Sequence, residues 1–389
     1  MRSRLNILVL ASWFPNRTNV TLGNFVVSHL KAMALYNNVQ VLFVAKDLNA
    51  SNDSNIETYT IGENIKVNVL YFKESKSRCK LLNNLVNNFR YITTYLKGLR
   101  LIDFPIDIVH LNVVYPVGLL AVYLKWKKKL PYVITEHWTI YQAQNRHKIK
   151  GLKGYIFRLT AKHSEVIMPV SNQLGKMMQE CGLNSNYKTV PNTLDVDVFN
   201  TGEKEKTEIF KWIHISTLVD EMKNVSGILR SFKMLLDIDK KNHLTVVSDG
   251  NIEQYRSLVA ELNIPNDKIL FIGTQTAKQI ADWMRASHAF VLFSNFENLP
   301  LVIIESFSTG TPVIATDVGG IKEHFPDYSG IIIPRKDEKA LLNAMVALKQ
   351  NYSKFDLKKT SQYARANFSY SAVGEAFNNI YHQIIQSKQ

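Results

Sequence analysis

The chain has 389 residues, 46% of them hydrophobic and 21% charged, which is enough material for substantial cores and enough length for two domains of ordinary size. Its 47 basic against 33 acidic residues give a formal charge of +14, and its two cysteines, Cys79 and Cys181, exclude a disulfide framework or a thiolate metal cluster. The Met1 end lacks the apolar h-region of a signal peptide, and the longest apolar stretch, residues 108–126, is broken by His110, Asn112 and Pro116, so a reducing cytoplasm and no membrane-spanning helix are expected.

In chain order, LNILVLAS (residues 5–12) is a continuous apolar run of the kind buried on both faces of a parallel sheet. A loop to Gly23 and a helix near residues 24–37 follow. Then come VQVLFVA, IKVNVLYF, a basic amphipathic stretch over residues 76–100, IDIVHLNVV, a helix over residues 116–129, PYVITEH and EVIMPVS. This alternation predicts a doubly wound α/β domain over residues 1–190. YKTVPNTLDVDVFN reads as a connector, with the linker at residues 191–200. A second domain over residues 201–370 repeats the pattern through FKWIHIS, HLTVVSD, KILFIG, AFVLFS, TPVIATD and GIIIP. A last helix, residues 371–389, is expected to pack back on the first domain. Two Rossmann-like domains facing each other across a cleft are therefore expected, with ligands at the carboxyl ends of the strands.

The charge is uneven. Residues 1–195 carry 25 Lys and Arg against 11 Asp and Glu, whereas residues 196–389 carry 22 of each, so an anionic partner is expected for the first half only.

Residues 296–320, FENLPLVIIESFSTGTPVIATDVGG, set Glu297 at the foot of an apolar run and Glu305 within it. Asn298 is expected to cap a helix with Pro300 at its first position, and Gly310 to end it. An anion belongs at such a helix start, with Glu297 beside it and Glu305 roughly 12 Å further along at about 1.5 Å per residue. Two carboxylates so spaced suit the hydroxyls of a sugar and of a ribose.

The Glu297-x7-Glu305 spacing, with LP after the first glutamate and STGTPVIATDVGGIKE behind the second, resembles the retaining GT-B glycosyltransferases of family four, the group 1 type that includes bacterial capsule and lipid-glycan enzymes. WFPNRTNVTLGNFV, TEHW, VPNTLDVDVF, HISTLVDEMKNVSGILRSF, VVSDG and FIGTQTAKQIADWMRASHAFVLFS fall in the same order as in that family, across nearly the whole chain. The resemblance implies transfer of a sugar from a nucleotide-diphosphate sugar to a glycan or lipid-linked acceptor, without cofactor or metal. It assigns the donor ribose to Glu305 and hydroxyls of the transferred sugar to Glu297. The diphosphate falls to the amides near Asn298 and Leu299, to Lys223 and to the backbone around Gly23; His137 lies against sugar and phosphate. Gly273 and Thr274 line the base pocket, and Gly320 allows close backbone approach. Where relatives carry an arginine, this chain has Thr217, so the phosphate clamp is expected to rest on Lys223, the helix amides and the Ser216 or Thr217 hydroxyls.

Plainer readings stay open beside these. His137 fits a structural histidine, Glu136 a residue that orients its neighbour or faces solvent, and Gly23 a turn. Asp195-x-Asp197 and Asp237-x-Asp239 read as solvated rather than metal-binding. In the basic half, Lys73, Lys76, Arg78, Lys80, Arg90, Lys97 and Arg100 interleave with Leu81, Leu82, Leu85, Val86, Phe89, Tyr91 and Tyr95, and Lys125, Lys127, Lys128 and Lys129 surround Trp126. This suggests either an amphipathic helix on anionic lipid at the inner membrane face or a solvated helix with its apolar side inward. A nucleotide-sugar 2-epimerase is the alternative within the same architecture. A basic RNA-binding protein is the alternative outside it, although no RNA-recognition signature is present and no nucleic-acid partner is expected.

Overall fold

The computed structural model describes residues 4–50, 55–76, 79–204 and 207–388. The elements run β1 (Asn6–Ala11), α1 (Asn24–Ala34), β2 (Asn38–Asp47), β3 (Asn55–Ile61), β4 (Ile65–Lys73), α2 (Lys80–Gly98), β5 (Ile108–Asn112), α3 (Gly118–Lys128), β6 (Tyr132–Glu136), α4 (Gly151–His163), β7 (Val166–Pro169) and α5 (Asn172–Glu180). They continue with β8 (Phe210–Ile215), α6 (Asp220–Lys223), α7 (Val225–Ile238), β9 (Asn242–Val247), α8 (Glu253–Glu261), β10 (Ile269–Ile272), α9 (Ala277–Ala286), β11 (Ala289–Leu292), α10 (Leu301–Ser308), β12 (Val313–Thr316), β13 (Gly330–Ile333), α11 (Glu338–Gln350), α12 (Leu357–Phe368) and α13 (Tyr370–Gln386). Contacts divide them into a first unit, Met1–Thr193 with Tyr370–Gln389, and a second, Leu194–Ser369.

In the first unit seven strands lie in the order β3-β4-β2-β1-β5-β6-β7, parallel except for β3. Alternate residues of β1 point to opposite faces. Ile7, Val9 and Ala11 meet α1 and α13 in one core, joined by Val26, Leu30, Met33, Phe377 and Tyr381. The helix α13 docks closely: a Cβ on Gly374 would lie 2.2 Å from the Ala32 carbonyl oxygen, and Tyr381 Oη lies 2.6 Å from His110 Nδ1. On the other face Gly98 of α2 sits against Leu42 and Leu70, and Tyr132 donates its hydroxyl to the Thr160 carbonyl of α4. The antiparallel edge β3 is the strand that periodicity missed, because NIETYTI is polar and largely exposed on both faces. In the basic stretch the helix starts at Lys80 rather than Lys76; Arg78 lies outside the described residues.

The second unit has six parallel strands in the order β10-β9-β8-β11-β12-β13. Its core gathers Trp212, Leu229, Phe232, Val246, Val291, Phe293, Ile314, Leu341 and Met345, all buried. Several of its helices are closed by side chains: Thr276 and Gln279 form a capping box on α9, and Asp337 and Asp356 cap α11 and α12.

Candidate active site

The chain runs from β8 outward to β9 and β10, then returns to place β11 on the other side of β8. The sheet therefore reverses its winding between β8 and β11, where the loops at the carboxyl ends of neighbouring strands leave a crevice. Those loops are residues 216–224 and 293–300, and they are tied together. The Asn295 amide donates to the Met222 carbonyl at 2.7 Å and its side chain to the Glu221 carbonyl at 2.9 Å. Lys223 Nζ then donates to Glu297 Oε1 at 2.5 Å, and Ser294 Oγ donates to the same oxygen at 2.8 Å. The lysine and glutamate side chains are 15% and 9% exposed, so water screens the pair poorly. Two residues 74 positions apart are thus brought into one ion pair.

The loop that delivers Lys223 is built with care. His214 donates through Nδ1 to the Val291 carbonyl at 2.8 Å, and burial lowers its pKa to about 4. Its Nε2 is then an acceptor, and Ser216 Oγ, 2.8 Å away, donates to it while accepting the Leu218 amide at 3.1 Å. The single Ser216 proton thus goes to His214. Leu218 holds φ at +56°, and Tyr255 Oη donates to its carbonyl at 2.8 Å. Gly250 makes room, since a Cβ there would lie 2.2 Å from the Thr217 carbonyl oxygen. Asp220 accepts both the amide and the hydroxyl of Ser226, fixing α6 beside the start of α7. Sequence reading passed over Gly250, Tyr255 and Asp220; the SDG run after β9 was the available signal.

At the start of α10 one expectation is corrected. The N-cap is Pro300, with φ −71° and ψ 127°, and not Asn298. Residue 298 is held outside the helix because the Gly320 amide donates to its carbonyl at 2.6 Å. Gly319, beside Gly320, also needs to be glycine: its φ is +59°, and a Cβ on it would lie 2.1 Å from the Glu297 carbonyl oxygen. Gly310, at φ +67°, follows the last turn, as a terminating glycine should. Asn298 and Leu299 are buried, and α10 begins with no side-chain cap and no acid in its first turn.

Glu305 sits one turn into α10. Its carboxylate has no hydrogen-bond partner among the described residues, and burial alone pushes its pKa up to about 7. Gly273 and Thr274 lie on the exposed loop after the edge strand β10, two strands from β8, with open space beside Gly273. They do not touch the Lys223–Glu297 pair.

In the first unit Gly23 is the N-cap of α1 in the left-handed region at φ +71°, and a Cβ there would lie 2.9 Å from the Trp13 carbonyl. The helix it opens has no side-chain cap and no acid in its first turn. His137 follows β6, with its ring 4.2 Å from that of Phe25 and 5.1 Å from that of His29. Burial holds His137 well below the ordinary histidine range, so the ring is neutral at pH 7. Glu136 neither faces solvent nor titrates freely. Its carboxylate is buried and accepts the amides of Val114, His137 and Trp138 and the Tyr141 hydroxyl, at 2.8 to 3.1 Å. It fixes the turn that presents His137. His29 and His110, with pKa values lowered by burial to about 4 and about 3, complete a cluster of neutral imidazoles that the sequence did not disclose.

Among the described residues no group of three His, Cys, Asp or Glu has the arrangement of a metal site. Asp195 caps its own turn through the amides of Asp197 and Val198, while Asp237 and Asp239 are paired with Lys233 and Lys349 rather than merely solvated.

Residues 197–367 match the family described as glycosyl transferases group 1, and residues 67–198 match glycosyltransferase family 4. A Bacillus subtilis glycosyltransferase named for teichuronic acid biosynthesis is 24% identical over 263 residues, which is 66% of this chain and 64% of that protein. The chain thus aligns with a little less than two thirds of that relative's length. Among solved structures, sucrose-phosphate synthase from Thermosynechococcus elongatus has a TM-score of 0.74 at 16% identity, covering 99% of this chain and 100% of that one. Anabaena HepE, solved with UDP and glucose, has a TM-score of 0.72 at 15% identity, covering 98% and 100%. These likenesses describe transferases and do not favour the 2-epimerase alternative.

Proposed function

Because the chain belongs to the GT-B glycosyltransferases of group 1, we propose that it moves a glycosyl group from a nucleoside diphosphate sugar, held by the second unit, to a hydroxyl of a glycan or lipid-linked acceptor. The observation that carries this reading is the Glu305 carboxylate, half-buried and without a partner one turn into a helix that begins at the reversal point of the sheet. A largely desolvated carboxylate left unpaired is costly, and ribose hydroxyls are the donors that would satisfy it. The teichuronic acid name of the Bacillus subtilis relative and the UDP and glucose in Anabaena HepE support a role in polysaccharide assembly from such a donor.

The remaining residues take their roles from charge and position. Lys223 and the positive end of the α10 dipole neutralise the diphosphate, whose charge grows as the bond to the anomeric carbon breaks. Glu297 takes hydroxyls of the transferred sugar while keeping Lys223 in place. The chain offers no arginine at Thr217, so Lys223 is the main side-chain cation on the leaving group. The acceptor hydroxyl attacks the anomeric carbon from the face the phosphate leaves. The bond from that carbon to the phosphate oxygen breaks, a new carbon–oxygen bond forms, and the hydroxyl proton passes to the departing phosphate. The products are a glycoside of retained configuration and a nucleoside diphosphate, and no metal takes part. His137, neutral at pH 7, acts as a hydrogen-bond partner rather than a cation.

The test is a thermal-shift panel of nucleoside diphosphates on the full chain. A ligand that binds only the native state raises the unfolding temperature by mass action, so at least one diphosphate should do so in wild type and much less in Glu305→Gln. Absence of a shift with every base would sink the assignment of the donor.

A further inference from the structure

We propose that the outward face of α2 and α3 is a docking surface for an anionic lipid bilayer, on which the first unit rests without crossing. The inference stands apart from the transfer chemistry, so either can fail without the other.

One side of α2 is fully used by the fold: Tyr95 donates its hydroxyl to the Ala11 carbonyl at 2.9 Å, Gly98 abuts Leu42 and Leu70, and Asn87 and Thr94 are buried. The opposite side carries Leu82, Leu85, Phe89, Ile92 and Leu96, all exposed, with Leu85 at 68% and Phe89 at 69%. Their spacing of three and four residues draws a single line along the helix, about 21 Å long at the helical rise. In a protein that faced only water, these positions would carry the polar residues and the inward face the apolar ones. The helix α3 belongs to the same layer. It packs with α4, which lies on the Tyr132 side of the sheet, opposite the core that holds Val133, α1 and α13. It exposes Leu119, Tyr123 and Trp126 at the same helical spacing, Trp126 at 61%. Tryptophan and tyrosine suit the headgroup level of a membrane.

Charge selects the lipid. Residues 75–102 contain no aspartate or glutamate. The two acids that bracket them are already paired, Glu74 with Lys46 and Asp103 with Lys66. Lys73, Lys76, Arg90, Lys97 and Arg100 are exposed, and none has an ion-pair partner among the described residues. Lys127, Lys128 and Lys129 add to them at the end of α3, where Lys125 is paired with Glu165. An apolar line flanked by unpaired cations fits acyl chains below and phosphate headgroups around. A second copy of this chain fits badly, because it would bring the same cations face to face. No described helix is long and apolar enough to cross a membrane, so the surface lies on the bilayer rather than through it.

Co-sedimentation of the full chain with phosphatidylcholine vesicles and with mixed phosphatidylcholine–phosphatidylglycerol vesicles tests this. The wild type should pellet with the anionic vesicles and stay largely in solution with the neutral ones. Lys97→Gln with Arg100→Gln should weaken the partition by about fivefold per charge removed. Leu85→Asn with Phe89→Asn should weaken it on the order of tenfold or more, through lost apolar burial. Both pairs replace exposed side chains, so the unfolding temperature should stay within a few degrees of wild type and certify the fold. Equal binding to both vesicle types, no binding to either, or binding that ignores both double variants would overturn the proposal. So would a wild-type dimer in solution that Leu85→Asn with Phe89→Asn converts to monomer, since a second copy would then be what covers this face.

Discussion

The Glu305 carboxylate sets stability against binding. Its pKa in the folded chain is raised from 4.5 to about 7 by burial, with no partner to offset it. The unfolded chain therefore gives up this proton first as pH rises, and between roughly pH 4.5 and 7 the native state holds more protons. Stability from this group is lost through that window, and above pH 7 the ligand-free protein bears the whole penalty. At about 1.4 kcal/mol per tenfold change in proton affinity, the penalty is about 3.5 kcal/mol as an upper bound. Glu305→Gln removes the charge and keeps the shape. Thermal unfolding without nucleotide should show the variant more stable than wild type by several degrees at pH 8, and nearly equal to it at pH 5. Nucleotide binding should move the other way. Hydrogen bonds from ribose hydroxyls to a charged acceptor are worth about 1.5–3 kcal/mol, so isothermal titration at pH 8 should find affinity reduced by about 10- to 100-fold. A variant that is less stable at both pH values, with unchanged nucleotide affinity, would show that Glu305 serves only the fold.

Lys223→Ala should lower kcat on the order of 10²-fold and also lower stability by about 3 kcal/mol, because Glu297 is left buried without its ammonium. Adding Glu297→Gln should restore the stability and not the turnover, and Thr217→Arg should return part of the turnover; near-normal kcat in Lys223→Ala refutes the phosphate assignment. Gly319→Ala should abolish measurable donor binding, since its Cβ would fall 2.1 Å from the Glu297 carbonyl oxygen; a wild-type titration curve for the variant would contradict the geometry. Transfer of labelled sugar should continue in excess EDTA, and a complete loss reversed by magnesium would require a metal in the mechanism.

Most of the fold was legible because its strands are short continuous apolar runs set between helices, a pattern that only a parallel sheet buried on both faces explains. Where the signal was weak the reading failed for local reasons. The polar strand β3 carries no apolar run, and its pairing comes from β4. The site was legible in its residue types and less so in its details. Glu297 and Lys223 were both singled out, yet only the folded loops show that they bind each other. That Gly319 must be glycine is decided by the approach of the residue 297 backbone, which the sequence does not show. The cap at Asn298 looked sound locally and is overridden by the Gly320 amide. In α2 the leucines and tyrosines alternate so closely that charge was plain, but which apolar residues face outward was not.

The docking of α13 has a consequence for how the protein is made. The ribosome releases residues 194–369 before it releases α13, so the second unit can close while the first still lacks a helix that is part of its core. Until Phe377 and Tyr381 arrive, the nascent first unit presents Leu30, Met33 and Val9 to water and leaves His110 Nδ1 without the Tyr381 hydroxyl. The domain that begins the chain is thus the later one to mature, and during translation it is the part with most need of a chaperone.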